Sequence, residues 1–122
     1  MLTKVNVASR LASFTEHWAP KVVAELNGQY VKVVKFQGAY VWHQHEKEDE
    51  LFFVLKGSMN LELCDGVVTL DPGEFVVVPR GVEHRPVADK ECEAMLFEPA
   101  TTRSTGNVDH GYTIEADDLE HI

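Results

Sequence analysis

The chain reads as an all-β protein, a sandwich or barrel of short strands, and three observations carry that reading. Apolar, β-branched runs of strand length recur along it, among them Gln29–Phe36, Leu51–Lys56 and Glu74–Val78. Turn signals stand between the runs: Asn27-Gly28, Asp65-Gly66 and Asp71-Pro72-Gly73. No stretch sustains the 3.6-residue apolar period of a long helix.

In chain order, Asn6–Phe14 is expected to form a short helix with Asn6 as N-cap. Lys21–Leu26 and Gln29–Phe36 form a hairpin through Asn27-Gly28, a dipeptide that accepts positive φ at both turn positions. Ala39–His45 is the next expected strand, followed by the polar connection Glu46–Asp49. Leu51–Lys56 returns, Gly57-Ser58 turns, and Met59–Cys64 continues to a second hairpin at Asp65-Gly66, with Val67–Leu70 as its return. Asp71-Pro72-Gly73 fits a type II turn into Glu74–Val78, which Pro79-Arg80-Gly81 ends. Arg85–Ala88 and Glu93–Phe97 are the last expected strands. Thr101–Asn107 reads as a loop, and the acidic tail beyond it as a surface or partner-packing segment. The expected division is an N-terminal extension over 1–19, the β domain over 20–100, and a C-terminal loop and tail over 101–122.

A chain of 122 residues suits one core. Its net charge of −9, from 20 acidic and 11 basic residues without a basic cluster, disfavours nucleic acid and anionic lipid as partners. No run approaches the roughly 20 apolar residues of a membrane span. Met1–Asn6 shows no apolar run or small-residue cleavage pattern, so no secretory leader is expected. Cys64 and Cys92 form no C-x-x-C pair and are expected to be reduced thiols in a cytoplasmic protein. A small molecule is the expected partner.

The chemistry concentrates in His43, His45, Glu50 and His84. His43 and His45 are two apart, so on a strand they share a face. If Glu46–Asp49 closes a hairpin, antiparallel return puts Glu50 across from His45. These residues do not by themselves bring His84 to the hairpin. Three imidazoles and a carboxylate favour iron, manganese, nickel, zinc or copper over calcium or magnesium. An octahedral shell would keep two positions open, whereas tetrahedral zinc on the three histidines would free Glu50 to act as a base. Glu50 is therefore the candidate catalytic residue. His17, His110 and His121 read as ordinary surface or hydrogen-bonded histidines.

These residues and their spacing resemble the cupin superfamily. Its first motif is approximately G(X)5-H-X-H-(X)3,4-E-(X)6-G; here Gly38 precedes His43 by four intervening residues rather than five, and His45, Glu50 and Gly57 follow in register. Its second motif is approximately G-(X)5-P-X-G-(X)2-H-(X)3-N; Gly73, Pro79, Gly81 and His84 match, and Ala88 replaces the asparagine. The 15 residues Ser58 to Pro72 separate the motifs, as in short microbial cupins. The resemblance implies an antiparallel jelly-roll barrel, or double-stranded β-helix, often homodimeric. It also implies one divalent metal bound by His43, His45, Glu50 and His84, with His84 joining the others inside the barrel. The implied activities are diverse: isomerase, dioxygenase or lyase chemistry on a sugar, phosphosugar, organic acid or phenol. The alternative is a non-catalytic small-molecule binding or sensing module.

Strand alternation extends the expectation to the pocket. Val41 and Ala39 should face inward with the histidines, and Phe52 and Val54 with Glu50. Tyr40, Trp42, Phe53 and Leu55 should lie on the opposite face, under a second layer or a dimer interface. Arg80 and Arg85 are candidates to meet a carboxylate or phosphate of a substrate.

Overall fold

In a computed structural model that describes residues 2–122, the Asn27-Gly28 turn forms with φ of 51° and 77°. It joins β1 (Lys21–Leu26) to β2 (Gln29–Ala39), closing with Leu26 opposite Gln29. After β3 (Glu50–Lys56), the second hairpin joins β4 (Met59–Leu63) to β5 (Gly66–Leu70). Its two turn residues are Cys64 and Asp65, one position earlier than the Asp-Gly signal suggests, because Gly66 is already paired with Leu63. The Asp71-Pro72-Gly73 turn is made as expected, Glu74 N–H donating to the Asp71 carbonyl at 3.0 Å, and leads into β6 (Phe75–Val78).

The largest departure is β7. Instead of two short strands, residues His84–Pro99 form one. Its first part pairs with β4, its last part with β3, and β2 runs antiparallel beside it almost throughout. The polar stretch Asp89-Lys90-Glu91 resembles a turn in sequence, yet it lies opposite the register slip between Phe36 and Gly38 of β2. The strand bends there rather than ending, as bulges allow. The short β8 (Glu120–His121) lies parallel to β1, giving the order β5-β4-β7-β2-β1-β8, with β3 bridging β7 and β6. The all-β cupin-like barrel expected from the sequence is the architecture found. No described helix is long and apolar enough to cross a membrane.

Alternation along these strands builds the core. Val34 and Phe36 of β2, Phe52 and Val54 of β3, Leu61 of β4, and Cys92, Ala94 and Leu96 of β7 all point inward and are buried. The helix α1 (Val7–Ala12) forms with Asn6 Oδ1 accepting the Ser9 N–H at 2.9 Å, the expected cap. It covers the outer face of β2, where Leu11 and Phe14 pack with Val33 and Leu55. That is the second layer anticipated for Leu55. Cys64 is exposed and Cys92 buried, both as free thiols.

Candidate metal centre

After Ala39 the chain leaves the sheet. Residues 40–49 form no strand, which corrects the expected Ala39–His45 strand and the hairpin built on it. Glu50 opens β3 and is paired with Val78 of β6, not with His45. The histidine segment is held instead by an isolated antiparallel bridge between His43 and His84, with N–H to carbonyl distances of 3.1 and 2.9 Å. Downstream, the Gly81 N–H donates to the His45 carbonyl at 2.8 Å. The even spacing still has its expected effect: His43 and His45 are both buried, and Gln44 between them is not. Three ends therefore meet at one point, namely the extended 43–45 segment, the start of β3 and the start of β7.

The candidate donor atoms of His43, His45, Glu50 and His84 all lie within 4.8 Å of one another. Glu50 Oε1 is 3.3 Å from His84 Nε2 and 3.5 Å from His45 Nε2. Two atoms bound to one cation at about 2.1 Å each stand about 3.0–3.4 Å apart, close to this spacing. His43 and His84 each hold Nδ1 at 2.9 Å from the carbonyl two residues back, Val41 and Val82 respectively. A carbonyl can only accept, so each Nδ1 carries the proton and each Nε2 is the nitrogen turned to the cluster, that of His84 meeting Glu50 Oε1 at 3.3 Å. His45 is buried with neither ring nitrogen hydrogen-bonded. A buried imidazole without partners is costly, and a cation bound at one of its nitrogens relieves part of that cost. The four residues can hold a divalent metal ion.

The electrostatics agree with that geometry. Burial, reinforced by His84, pushes His43 down to about 4, so its ring is neutral and ligand-ready at neutral pH. Burial alone would raise the Glu50 carboxyl. The neighbouring Glu98, His45 and His84 side chains outweigh it and hold the group well below the usual carboxylate range. For His84, burial acts downward, and the hydrogen bond and charge of Glu50 overcome it to raise the ring.

Sequence reasoning missed Glu98 and Lys32. Both are buried, and Lys32 Nζ donates to Glu98 Oε1 at 2.7 Å. Burial and then the Glu50 charge push the Glu98 carboxyl well above its usual range, against the pull of Lys32. Glu98 Oε2 meets no N–H or O–H donor of the protein, and the Glu50 carboxylate is its charged neighbour on the cavity side. A signal for both residues exists in the strand parity. Glu98 is in phase with Cys92, Ala94 and Leu96, and Lys32 with Val34 and Phe36, all inward-facing.

A cavity of about 30 Å³ adjoins the cluster, room for one or two waters. Trp18, Phe36, Tyr40 and Phe52 form its aromatic wall, and His43, Glu50 and Glu98 its polar end. Phe52 is thus the expected wall residue, but Tyr40 corrects the parity argument: it is buried and faces the cavity, while Ala39 is exposed. The slip at Phe36/Gly38 and the end of β2 at Ala39 break the alternation counted back from His43. Burial pushes the Tyr40 hydroxyl up to about 12, keeping it protonated. Arg80 pairs with Asp49, and Arg85 pairs with Glu62 while covering the Trp42 ring. Neither arginine lines the cavity, contrary to the substrate-anchoring role considered for them.

Comparison with known proteins gives a consistent result. The family model for the cupin domain matches residues 31–98. A cupin-2 domain containing protein from Shewanella frigidimarina, known from its crystal structure, is 42% identical, with a TM-score of 0.77 over 78% of this chain and 93% of that one. Protein NMB1881 from Neisseria meningitidis is 34% identical, with a TM-score of 0.74 over 80% of this chain and 99% of that one. The Bacillus subtilis protein YdbB is 34% identical over 87 residues, 62% of this chain and 77% of YdbB.

Proposed function

The chain belongs to the cupin family, and from that premise we propose that it is an enzyme that binds one divalent transition metal through His43, His45, Glu50 and His84. The observation that carries the proposal is the convergence of four buried donors around His45, whose two ring nitrogens have no other partner. Iron, manganese, nickel, zinc and copper all suit this donor set. When bound, such a cation supplies Lewis acidity or a site for an oxygen ligand. Glu50 acts as ligand and as the catalytic carboxylate at the cavity's polar end, and Glu98 beside it is a second polar anchor for the bound molecule. The two unpaired cysteines fit a cytoplasmic setting.

The lining narrows the substrate class. Its acidic groups are Glu50 and Glu98, it includes no arginine or lysine, and its walls are aromatic. Apart from the metal itself, a phosphosugar or organic acid would find no cationic side chain to pair with, so an uncharged molecule with an apolar face and a hydroxyl or carbonyl oxygen, such as a phenol, fits better. The test is metal analysis of protein purified without a nickel column, followed by turnover assays across phenols, sugars, phosphosugars and organic acids. One metal per chain, turnover on a neutral substrate, and loss of both in folded His45→Ala and Glu50→Ala are expected. Metal-independent ligand binding without turnover would favour the binding-module reading instead.

We also propose that two copies pair across the outer sheet face. Phe75 and Val77 of the edge strand β6 are 59% and 49% exposed, beside Leu51, Phe53, Met95 and Phe97. An apolar face ending in an open strand edge calls for cover. Light scattering should give twice the chain mass, and Phe75→Glu should halve it.

A further inference from the structure

The segment after β7 touches both halves of the proposed site. Residues 103–115 lie outside the strands and cross the end of the barrel where the histidines meet. At one end, Asn107 Oδ1 accepts the Gln44 N–H at 2.9 Å, and the Asn107 N–H donates to the Gln44 carbonyl at 3.1 Å. Gln44 stands between two candidate ligands, so one residue satisfies both backbone groups at the centre of the His43–His45 pair. Gly106 lies against the same peptide: a Cβ there would sit 2.1 Å from the Gln44 carbonyl oxygen and 3.2 Å from His43 Cδ2. Only glycine allows the segment to come this close.

Arg103 braces the segment from within. Its Nη1 donates to the carbonyls of Gly106 and Val108, both at 3.0 Å, and its Nε to Glu115 at 2.9 Å. The other end covers the cavity. The Tyr112 ring stacks on Tyr40 at 5.6 Å and lies 6.1 Å from Trp18, while Ser104 is part of the cavity lining. At about 30 Å³ the free space beside the cluster is small, so a wall that yields would make room for an organic molecule. Phe36 and Phe52 belong to strands with neighbours hydrogen-bonded on both sides, whereas 103–115 is held by turns, side-chain bonds and scattered backbone bonds rather than by a ladder.

Resting on the metal-site reading above, we infer that residues 103–115 form a strap that admits the ligand and, through Asn107, positions His43 and His45 for the metal. Asn107 is a positioning residue and touches neither metal nor substrate. Lifting the strap withdraws Asn107 from Gln44, so ligand entry and metal geometry are coupled, and metal binding holds the strap down in return.

Cobalt(II) is the probe, because its absorption bands report ligand geometry and chelator competition gives its affinity. Asn107→Ala should weaken Co(II) binding about 10–100-fold and alter the bands, while the metal-free melting temperature stays near that of the wild type. Asn107→Asp keeps the acceptor oxygen and should restore the wild-type bands. Arg103→Ala, which frees the strap without touching Gln44, should weaken Co(II) binding in the same direction by about 3–10-fold, and it serves if Asn107→Ala fails to fold. In hydrogen exchange, Co(II) should slow the Gln44 and Asn107 amides together. Wild type that binds Co(II) while the folded variants match it in affinity and bands would overturn the strap and leave the metal site standing. Wild type that binds no Co(II) would remove the metal site, and the strap's role with it.

Discussion

The four candidate ligands come from two kinds of structure. Glu50 and His84 begin strands, and each is fixed by the register of a ladder. His43 and His45 stand on a ten-residue passage, 40–49, held by one isolated bridge, by single backbone bonds from Gly81 and to Pro86, and by the strap. The strand side also carries the buried Lys32–Glu98 pair and the core behind it. The comparison teaches that stability and metal capture are separable here. Truncation on the strand side should unfold the protein, and neutral truncation in the passage should leave it folded with a poorer site.

The sharpest way to break that contrast is Glu98→Ala, which strands the Lys32 ammonium in the interior. A loss of about 3–5 kcal/mol is expected, read by urea unfolding. A loss below 1 kcal/mol would show that this pair does not anchor the strand side. Acidification attacks the other side. His43 binds its proton about 2.5 units less readily folded than its ordinary value of 6.5, so the unfolded chain takes up the proton first. Stability should therefore be full above about pH 6.5 and fall by about 3 kcal/mol on descent to pH 4, with no further loss from this group below that. Glu50, held well below its ordinary range, adds a loss of the same sign as pH falls further, whereas the raised His84 contributes stability at low pH that is lost as pH rises through its folded value. The His43→Gln variant should flatten the step between pH 6.5 and 4 in metal-free urea titrations.

Metal removal is the next effect in size. A chelator should lower stability by about 2.7 kcal/mol when free metal had stood at 100 times its dissociation constant, seen as a drop in melting temperature that added metal reverses. No drop would remove the metal from both sides of the comparison. The smallest effect is Arg85→Ala, which removes a half-exposed pair with Glu62 and a contact with Trp42. Less than about 1 kcal/mol should be lost, with ligand affinity unchanged. A large loss of affinity would return Arg85 to the substrate site.

Much of this was legible in the residues. The turn dipeptides placed the hairpins to within one position, and even spacing buried His43 with His45 wherever the backbone stayed extended. The motif spacing around Glu50 and His84 pointed to the cluster that the fold assembles. What failed were arguments that needed an unbroken count. The slip at Phe36/Gly38 reversed the facing of Ala39 and Tyr40, and a bend through Asp89-Lys90-Glu91 joined what looked like two strands. Glu98 was hidden because an acidic residue among apolar neighbours reads as surface until its strand is known to be inward-facing at that phase. The strap was hidden for a different reason: the link from Asn107 to Gln44 spans 63 residues and no local pattern encodes it.

The strap is also tied down beyond its far end. Leu119 is buried, β8 lies beside β1, and Lys21 Nζ meets Glu16 and Glu120 at 3.0 and 3.1 Å. With β7 as one post and β8 as the other, the strap resembles a bridge deck more than a door. It can arch but not swing away, which limits the width of anything that passes beneath it. Cutting the β8 post would turn the arch into a free arm, and the size limit on what enters would rise with it.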